Sequence, residues 1–333
     1  MNQPTTPTND RARPLDVHVG TPPDRSQLGP DDATEGAISL RLRLINLAAV
    51  VIPLVGLAAG IVLLWAVAID WTLLLIFLAM YILSGLGVTV GYHRYFTHKS
   101  FNAPRPVQFV LGVLGSMAVQ GSVLDWVATH RQHHQHSDQE LDPHSPHGHG
   151  ESIAGVLRGM WHAHMGWLFD PHPRGMAKYV KDLQGDRLVR VVSALFPVWV
   201  VLGMLIPAAM GLLLSQTWTG ALLGFIWGGL VRIALIHHIT WSVNSVCHIW
   251  GSRPFRTSDH SRDNVIVGVL ALGEGWHNGH HAFPASARHG LGWWKFDASY
   301  LVIRAMALVG LASDIRVPSA ERIAAKRAAA ARP

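Results

Sequence analysis

Cysteine is almost absent from the chain: Cys247 is the only one, which excludes an internal disulfide and any disulfide framework. Charge is scarce as well, at 14% of residues against 49% apolar, with a mean hydropathy of +0.23. Long stretches carry no charge at all, so much of the core suits lipid rather than water. The net charge of +6 comes from basic residues in loops, with no basic stripe interleaved with stacking aromatics. That pattern excludes nucleic acid as a partner and fits topology signalling and anionic headgroups. Residues 1–36 have few large apolar side chains and no apolar core of a secretory signal, so they read as a disordered tail that is not exported. Lysine is nearly missing too, 5 against 22 arginines in an Ala- and Gly-rich chain, which hints at a bacterial, GC-rich source. There is no internal repeat.

A length of 333 residues would suggest two domains, but hydropathy overrides that expectation. Apolar runs over about 44–69, 71–92, 191–214 and 218–236 are each long enough, at about 1.5 Å per residue, to approach or exceed the roughly 30 Å of a hydrocarbon core. A further apolar segment, Val107 to Ala128, is assigned to the cap rather than to a crossing. A crossing there would separate His93 and His98 from His130, His133 and His134, and Gln108, Gln120 and Asp125 suit a segment buried in protein or lying along the interface. Ten Lys and Arg lie between Arg94 and Arg190, whereas the turns on the other side carry none. The positive-inside rule then places both termini and the whole cap, 93–190 and 237–318, in the cytoplasm. The expected architecture is all-α: four transmembrane helices under a helical cap within residues 37–318, followed by an Ala/Arg-rich tail over 319–333 that is a solvated helix or frayed.

Histidine is what the chain has in excess, with 21. Three clusters share one grammar: His93 and His98; His130, His133 and His134; and His277, His280 and His281. On a helix, residues three and four apart share a face, so His130 faces both His133 and His134. With His248 these make nine candidate ligands, more than one ion can take, and two metals in one pocket is the economical reading. Imidazole suits iron, zinc, copper or nickel, so the count leaves the metal unnamed. A structural zinc site would be closed by four ligands and would usually recruit thiolates; a single cysteine favours a redox or oxygen-activating centre with open positions. Asn244, one turn before His248 on the same helical face, is placed to hold a metal-bound water. Asp138, Asp142, Glu274 and Asp263 are the carboxylates expected to orient the remaining ring nitrogens. His237 and His238 read as satisfied core or supporting residues, His136, His144, His147, His149, His162 and His172 as solvated or supporting ones, and Cys247 as a small buried residue.

Taken together these boxes, H-x4-H, H-x2-H-H and H-x2-H-H, resemble those of the membrane fatty acyl desaturases. The wording around them is similar to the acyl-CoA delta-9 branch, the stearoyl-CoA desaturase type: Tyr95-Phe96-Thr97-His98, Asp142-Pro143-His144, His164-Met165-Gly166-Trp167-Leu168, Asn244-Ser245 through His248, Arg253-Pro254, and Gly273 to Asn278. The resemblance covers about residues 40–300. It implies a di-iron centre that uses molecular oxygen and two electrons to remove two hydrogens from a long-chain acyl-CoA. His93, His98, His130, His134 and His280 would hold one iron, and His133, His248, His277 and His281 the other, with Asn244 reaching it through water. Trp241 matches a tunnel-lining residue, Tyr81 and Gly85 match positions near the tunnel's closed end, and His164 falls in a matching motif. The Arg-Asp pair that contacts CoA in animal members is Ala128-Thr129 here. No fused haem domain is visible, so a separate ferredoxin-like or flavin-containing reductase is expected to supply the electrons. Two other classes compete. A related membrane di-iron hydroxylase shares the chemistry, and a metal transporter would place ionisable residues inside its spans, where the first three have essentially none.

Overall fold

A computed structural model of the chain describes residues 38–66, 71–171 and 176–330. The tail assigned to residues 1–36, and His172, lie outside the described residues. Within them the protein is helical: α1 (Leu40–Ala66), α2 (Trp71–Leu86), α3 (Arg105–Ser116), α4 (Val123–His136), α5 (Ile153–His164), α6 (Lys181–Gln184), α7 (Arg187–Ala194), α8 (Phe196–Ser215), α9 (Trp218–Gly224), α10 (Arg232–Ser245), α11 (Val265–Leu270), α12 (His277–Ala282), α13 (Ala298–Leu308) and α14 (Ala320–Ala330). Among the described residues only isolated bridges occur in place of strands.

Among the described residues four stretches are long and apolar enough to cross a bilayer: Leu40–Val62, Trp71–Thr97, Phe196–Ser215 and Trp218–His248. Their outer faces are apolar, as lipid requires; α1 exposes Leu44, Val51, Val55 and Val62. Several boundaries differ from those read in the sequence, and two of the differences position the site. Span two does not end at 92, because α2 runs on through a π-helical stretch, Gly87–Thr97, giving 27 residues in all. Span four does not end at 236, because α9, a π-helical stretch over Phe225–Val231, α10 and a final 3-10 turn, Val246–His248, form one 31-residue rod. At about 1.5 Å per residue these rods are roughly 40 and 46 Å long, against a hydrocarbon core of about 30 Å. Their last turns therefore project into the cap, carrying His93 and His248. Hydropathy falls where polar residues enter, but the helices do not stop there. The start of span three also moves, from 191 to Phe196, since α7 is a separate helix and Pro197 opens α8.

The segment Val107–Ala128 is not a crossing. It divides into α3, whose 12 residues span only about 18 Å, and the first turn and a half of α4. Close approach of α3 to span two depends on glycine: a Cβ on Gly87 would sit 2.1 Å from the Gly115 amide nitrogen. Arg232, fully buried, ties this region to spans three and four by donating to the carbonyls of Gly228, Gly203 and Met117. Of the C-terminal segment, residues Ala320–Ala330 form a mostly exposed helix, and residues 331–333 lie outside the described residues. Helix α14 docks on the cap, with Ile323 against the cluster of Phe255, Ala282 and Leu291 and the Lys326 ammonium donating to the Ala282 carbonyl.

Candidate metal centre

Four elements deliver the nine histidines. The π-helical end of span two brings His93, with His98 capping it; α4 brings His130, His133 and His134; the last turn of span four brings His248; and α12 brings His277, His280 and His281. Helix α4 is started by Ser122, whose hydroxyl accepts from the Asp125 amide.

The nine fall into two groups, in each of which one ring nitrogen from every residue lies within 4.8 Å of all the others: His93, His98, His130, His134 and His280, and His133, His248, His277 and His281. In the first, the Nε2 atoms of His93 and His280 are 3.0 Å apart, those of His280 and His134 2.8 Å, and those of His130 and His134 3.0 Å. In the second, His248 and His277 are 3.0 Å apart and His133 and His281 3.4 Å. For a nitrogen–metal bond of about 2.1 Å, two donors at a right angle stand about 3.0 Å apart.

Hydrogen bonding decides which nitrogens face inward. Carboxylates accept from Nδ1 of four rings: Glu274 from His93 at 2.5 Å, Asp142 from His133 at 3.0 Å, Asp138 from His248 at 2.8 Å and Asp259 from His281 at 2.7 Å. A neutral ring that donates at Nδ1 presents a bare lone pair at Nε2. Lone pairs facing one another at 3 Å repel unless a cation lies between them, and the buried His98 Nε2 has no protein partner at all. The residues present therefore fit a pair of metal ions.

Charge agrees. Burial, then the neighbouring rings, lowers His98, His130, His134, His277 and His280 below the ordinary histidine range, so they stay neutral donors. At His133 burial also works downward, but Asp142, with Asp138 and Asp259, offsets it and the net shift is upward. Burial would raise the carboxyls, yet His133 holds Asp142 at about 2, and His248 and His281 hold Asp138 and Asp259 below their usual range. At Glu274 the same burial is overcome first by Arg94 and then by His93. Arg94 lies fully buried between Glu274 and Asp297, the latter at 3.1 Å. Four ionised carboxylates around neutral rings, with Arg94 shared with Asp297, call for about the charge of two divalent cations.

One expectation about supporting residues changes. Asp263 orients no histidine: it accepts from the Lys295 ammonium and from the Gly279 amide at 3.1 Å, which positions α12. Asp259 takes the role instead, held by the Ser261 amide and hydroxyl and the Thr257 hydroxyl. Nothing in the spacing separates Asp259 from Asp263. His289, which no box contains, is buried with its ring 5.1 Å from His93 and 4.4 Å from His280. His144 is buried too, its ring 4.4 Å from that of His133.

Beside the metal groups lies a largely apolar cavity. His93, His130, His277 and Asn244 line it together with Trp126, Val88, Ile236, Ile239, Thr240 and Val243, and Tyr81, Gly85, Leu270, Leu272 and Glu274 are also part of the wall. The Trp126 ring stacks on His130 at 4.9 Å, and the Tyr81 hydroxyl donates to the Leu270 carbonyl at 2.6 Å. Tyr81 and Gly85 thus share the cavity, whereas Trp241 and His164 do not line it. On α10, residues 236, 239, 240, 243 and 244 form one face, and Trp241 points away from it. Trp241 packs with Val50 and Met165, and His164 bonds His238 at 2.9 Å and Ser245 at 3.0 Å.

Comparison with known proteins points the same way. The sequence model of the fatty acid desaturase family matches residues 69–311. The hex-5-enoyl-(acyl-carrier protein) acetylenase of Moorena producens is 41% identical over 84% of this chain and 88% of its own. Delta-9 acyl-lipid desaturase 1 of Arabidopsis thaliana is 38% identical over 75% of this chain and 77% of its own. The acyl-CoA C20 delta5-desaturase of Anemone leveillei is 38% identical over 75% and 76%.

Proposed function

The chain belongs to the fatty acid desaturase family, and from that premise we propose that it inserts a cis double bond, at the delta-9 position, into a saturated long-chain acyl group. The reaction consumes one O2, two electrons, two protons and two vicinal hydrogens of the chain, and yields the alkene and two waters. One observation carries this reading: two histidine groups, each built to hold a cation, stand at the wall of an apolar cavity. His93, His98, His130, His134 and His280 would hold one iron and His133, His248, His277 and His281 the other. The pair supplies, when bound, the oxygen activation needed to remove hydrogen from an unactivated methylene.

The protein's own groups do the rest. Glu274, Asp142, Asp138 and Asp259 fix the ring tautomers, so the lone pairs are aimed before any ion arrives. Asn244 faces the cavity and would hold a water at the second ion. Trp126, Val88, Ile236 and Val243 exclude bulk water from the reacting carbons, and Tyr81, Gly85 and Leu272 bound the space available to the acyl chain.

Acyl-CoA is the substrate the sequence resemblance implies. The relatives differ in carrier by name, acyl-carrier protein, lipid and CoA, so the test presents all three. A separate ferredoxin-like or flavin-containing reductase delivers the electrons. The ten Lys and Arg of the loop between Arg94 and Arg190 support a cytoplasmic cap on a bacterial plasma membrane.

The experiment is lipid analysis of the full chain reconstituted with iron, reductase and stearoyl groups on each carrier. A double bond at carbon 9, lost on His134→Ala, is the expected result. Hydroxylated chains without alkene would replace desaturation by hydroxylation, and unchanged chains on every carrier would end the proposal.

A further inference from the structure

Helix α14 lies beyond the region matched by the family model, which ends at residue 311. It is nonetheless built into the cap, directly behind the second histidine group. Ile323, its one large apolar residue, faces inward, so its outer surface is Ala, Arg and Lys with the single acid Glu321. The Arg327 guanidinium lies 5.4 Å from the centre of the Phe255 ring, and the Lys326 ammonium 4.9 Å from that of Phe283. Arg253 and Arg256 flank Phe255 in the adjoining loop and are exposed, as is Arg322. Five cations thus surround a patch whose nearby carboxylates are the exposed Glu321 and the buried Asp259, which is engaged by His281.

What lies under the patch gives it a purpose. Phe255 is buried, and its amide donates to the Asn278 side chain at 2.8 Å while the Asn278 amide donates back at 3.1 Å. Asn278 is bonded in the chain to His277. Asp259 connects the same loop to His281 at 2.7 Å. Two histidines of the second group are therefore one residue removed from the basic surface, and His281 does not line the cavity.

We propose that α14 and the loop Arg253–Asp259 form the docking face for an acidic one-electron carrier protein of the iron–sulfur type, which delivers electrons through the Phe255–Asn278 and Asp259–His281 contacts. The inference rests on the desaturase reading, since it names the partner that reaction requires. Two successive dockings supply the two electrons, each leaving the carrier oxidised by one. Charge complementarity selects an acidic protein. Membrane insertion is disfavoured, because an interfacial helix turns its apolar residues outward and α14 turns Ile323 inward.

The test uses the full chain, iron-loaded, in nanodiscs, with an acidic [2Fe–2S] ferredoxin as the probe. Binding is read by interferometry across a salt series, and donor KM by ferredoxin oxidation. Arg322→Glu with Arg256→Glu is expected to weaken binding at least tenfold, flatten its salt dependence and raise donor KM, while KM for the acyl substrate, iron content and Tm stay put. The Gln double variant should fall between. Binding and donor KM unchanged within twofold overturn the proposal. So does an effect that vanishes when phosphatidylglycerol in the disc is replaced by phosphatidylcholine, which would make the face a headgroup site. Because binding is read directly, intact salt-sensitive docking without alkene formation would instead count against the desaturase reading and leave the docking face standing.

Discussion

Asp259 and Asp263 are four residues apart and both buried, yet only one reaches a histidine, and that contrast sets a quantitative test. In Asp259→Asn the shape is kept and the charge lost, so the His281 Nδ1 proton no longer faces an ionised acceptor at 2.7 Å. Loss of an orienting partner of this kind typically lowers metal affinity about 10- to 100-fold, which is about 1.4–2.7 kcal/mol. Only the second group contains His281, so the first should keep its ion. The assay is iron content by mass spectrometry during a chelator titration of the purified full chain. Wild type should release its two ions at similar chelator concentrations. Asp259→Asn should release one of them 10- to 100-fold earlier and the other unchanged. Asp263→Asn should leave both in place while lowering Tm, because it strands the buried Lys295 ammonium and keeps an oxygen for the Gly279 amide. Parallel loss of both ions in Asp259→Asn, or equal behaviour of the two variants, would refute the assignment of separate ligand groups.

Acid should act on the metal-free protein before it acts on its carboxylates. His144 and His289, lowered by burial to about 3 and about 4 from an ordinary 6.5, stay neutral when folded while the unfolded chain takes up protons. Stability is therefore lost as pH falls below about 6.5. Asp142, held at about 2 against 3.8, adds its loss only below about pH 4. Thermal scans of apo-protein in nanodiscs from pH 8 to 5 should show Tm falling through this range; a flat profile contradicts the buried, neutral environment. Arg94→Met leaves Glu274 and Asp297 without their shared cation, and a broken buried pair costs about 3–5 kcal/mol; a Tm unchanged within about 2 °C would exclude that role. At Gly85 a new Cβ meets only the flexible tip of Leu272, at 3.1 Å, so Gly85→Ala should fold. Gly85→Phe should fill the cavity and shift products toward shorter acyl chains by gas chromatography. Unshifted chain length with full activity would place the acyl tail elsewhere.

How much of this was legible in the sequence depended on whether a feature is written locally. The histidine boxes are local: spacings of three and four on α4 and α12 aim rings to shared sides of a helix, so the donors could be named before their geometry was known. The assignment to two groups came from resemblance, and no spacing in the sequence alone divides nine histidines into a set of five and a set of four. Asp138 and Asp142 were found because they follow a box closely. Asp259 was not, because it reaches His281 through a loop whose shape is set by Thr257 and Ser261, and no periodicity reports a turn of that kind. His289 was missed for the same reason, being placed by the fold at eight residues from the nearest box. The spans were found by hydropathy, but their ends were not. Hydropathy reads where lipid stops, and a helix held by its own backbone hydrogen bonds and by cap packing goes on past that point. The unread turns hold the chemistry. Between Tyr92 and Thr97, and again between Ile236 and His248, polar residues enter a helix that is still continuous, and that is how two membrane spans come to hold His93 and His248 at fixed positions beneath the cap.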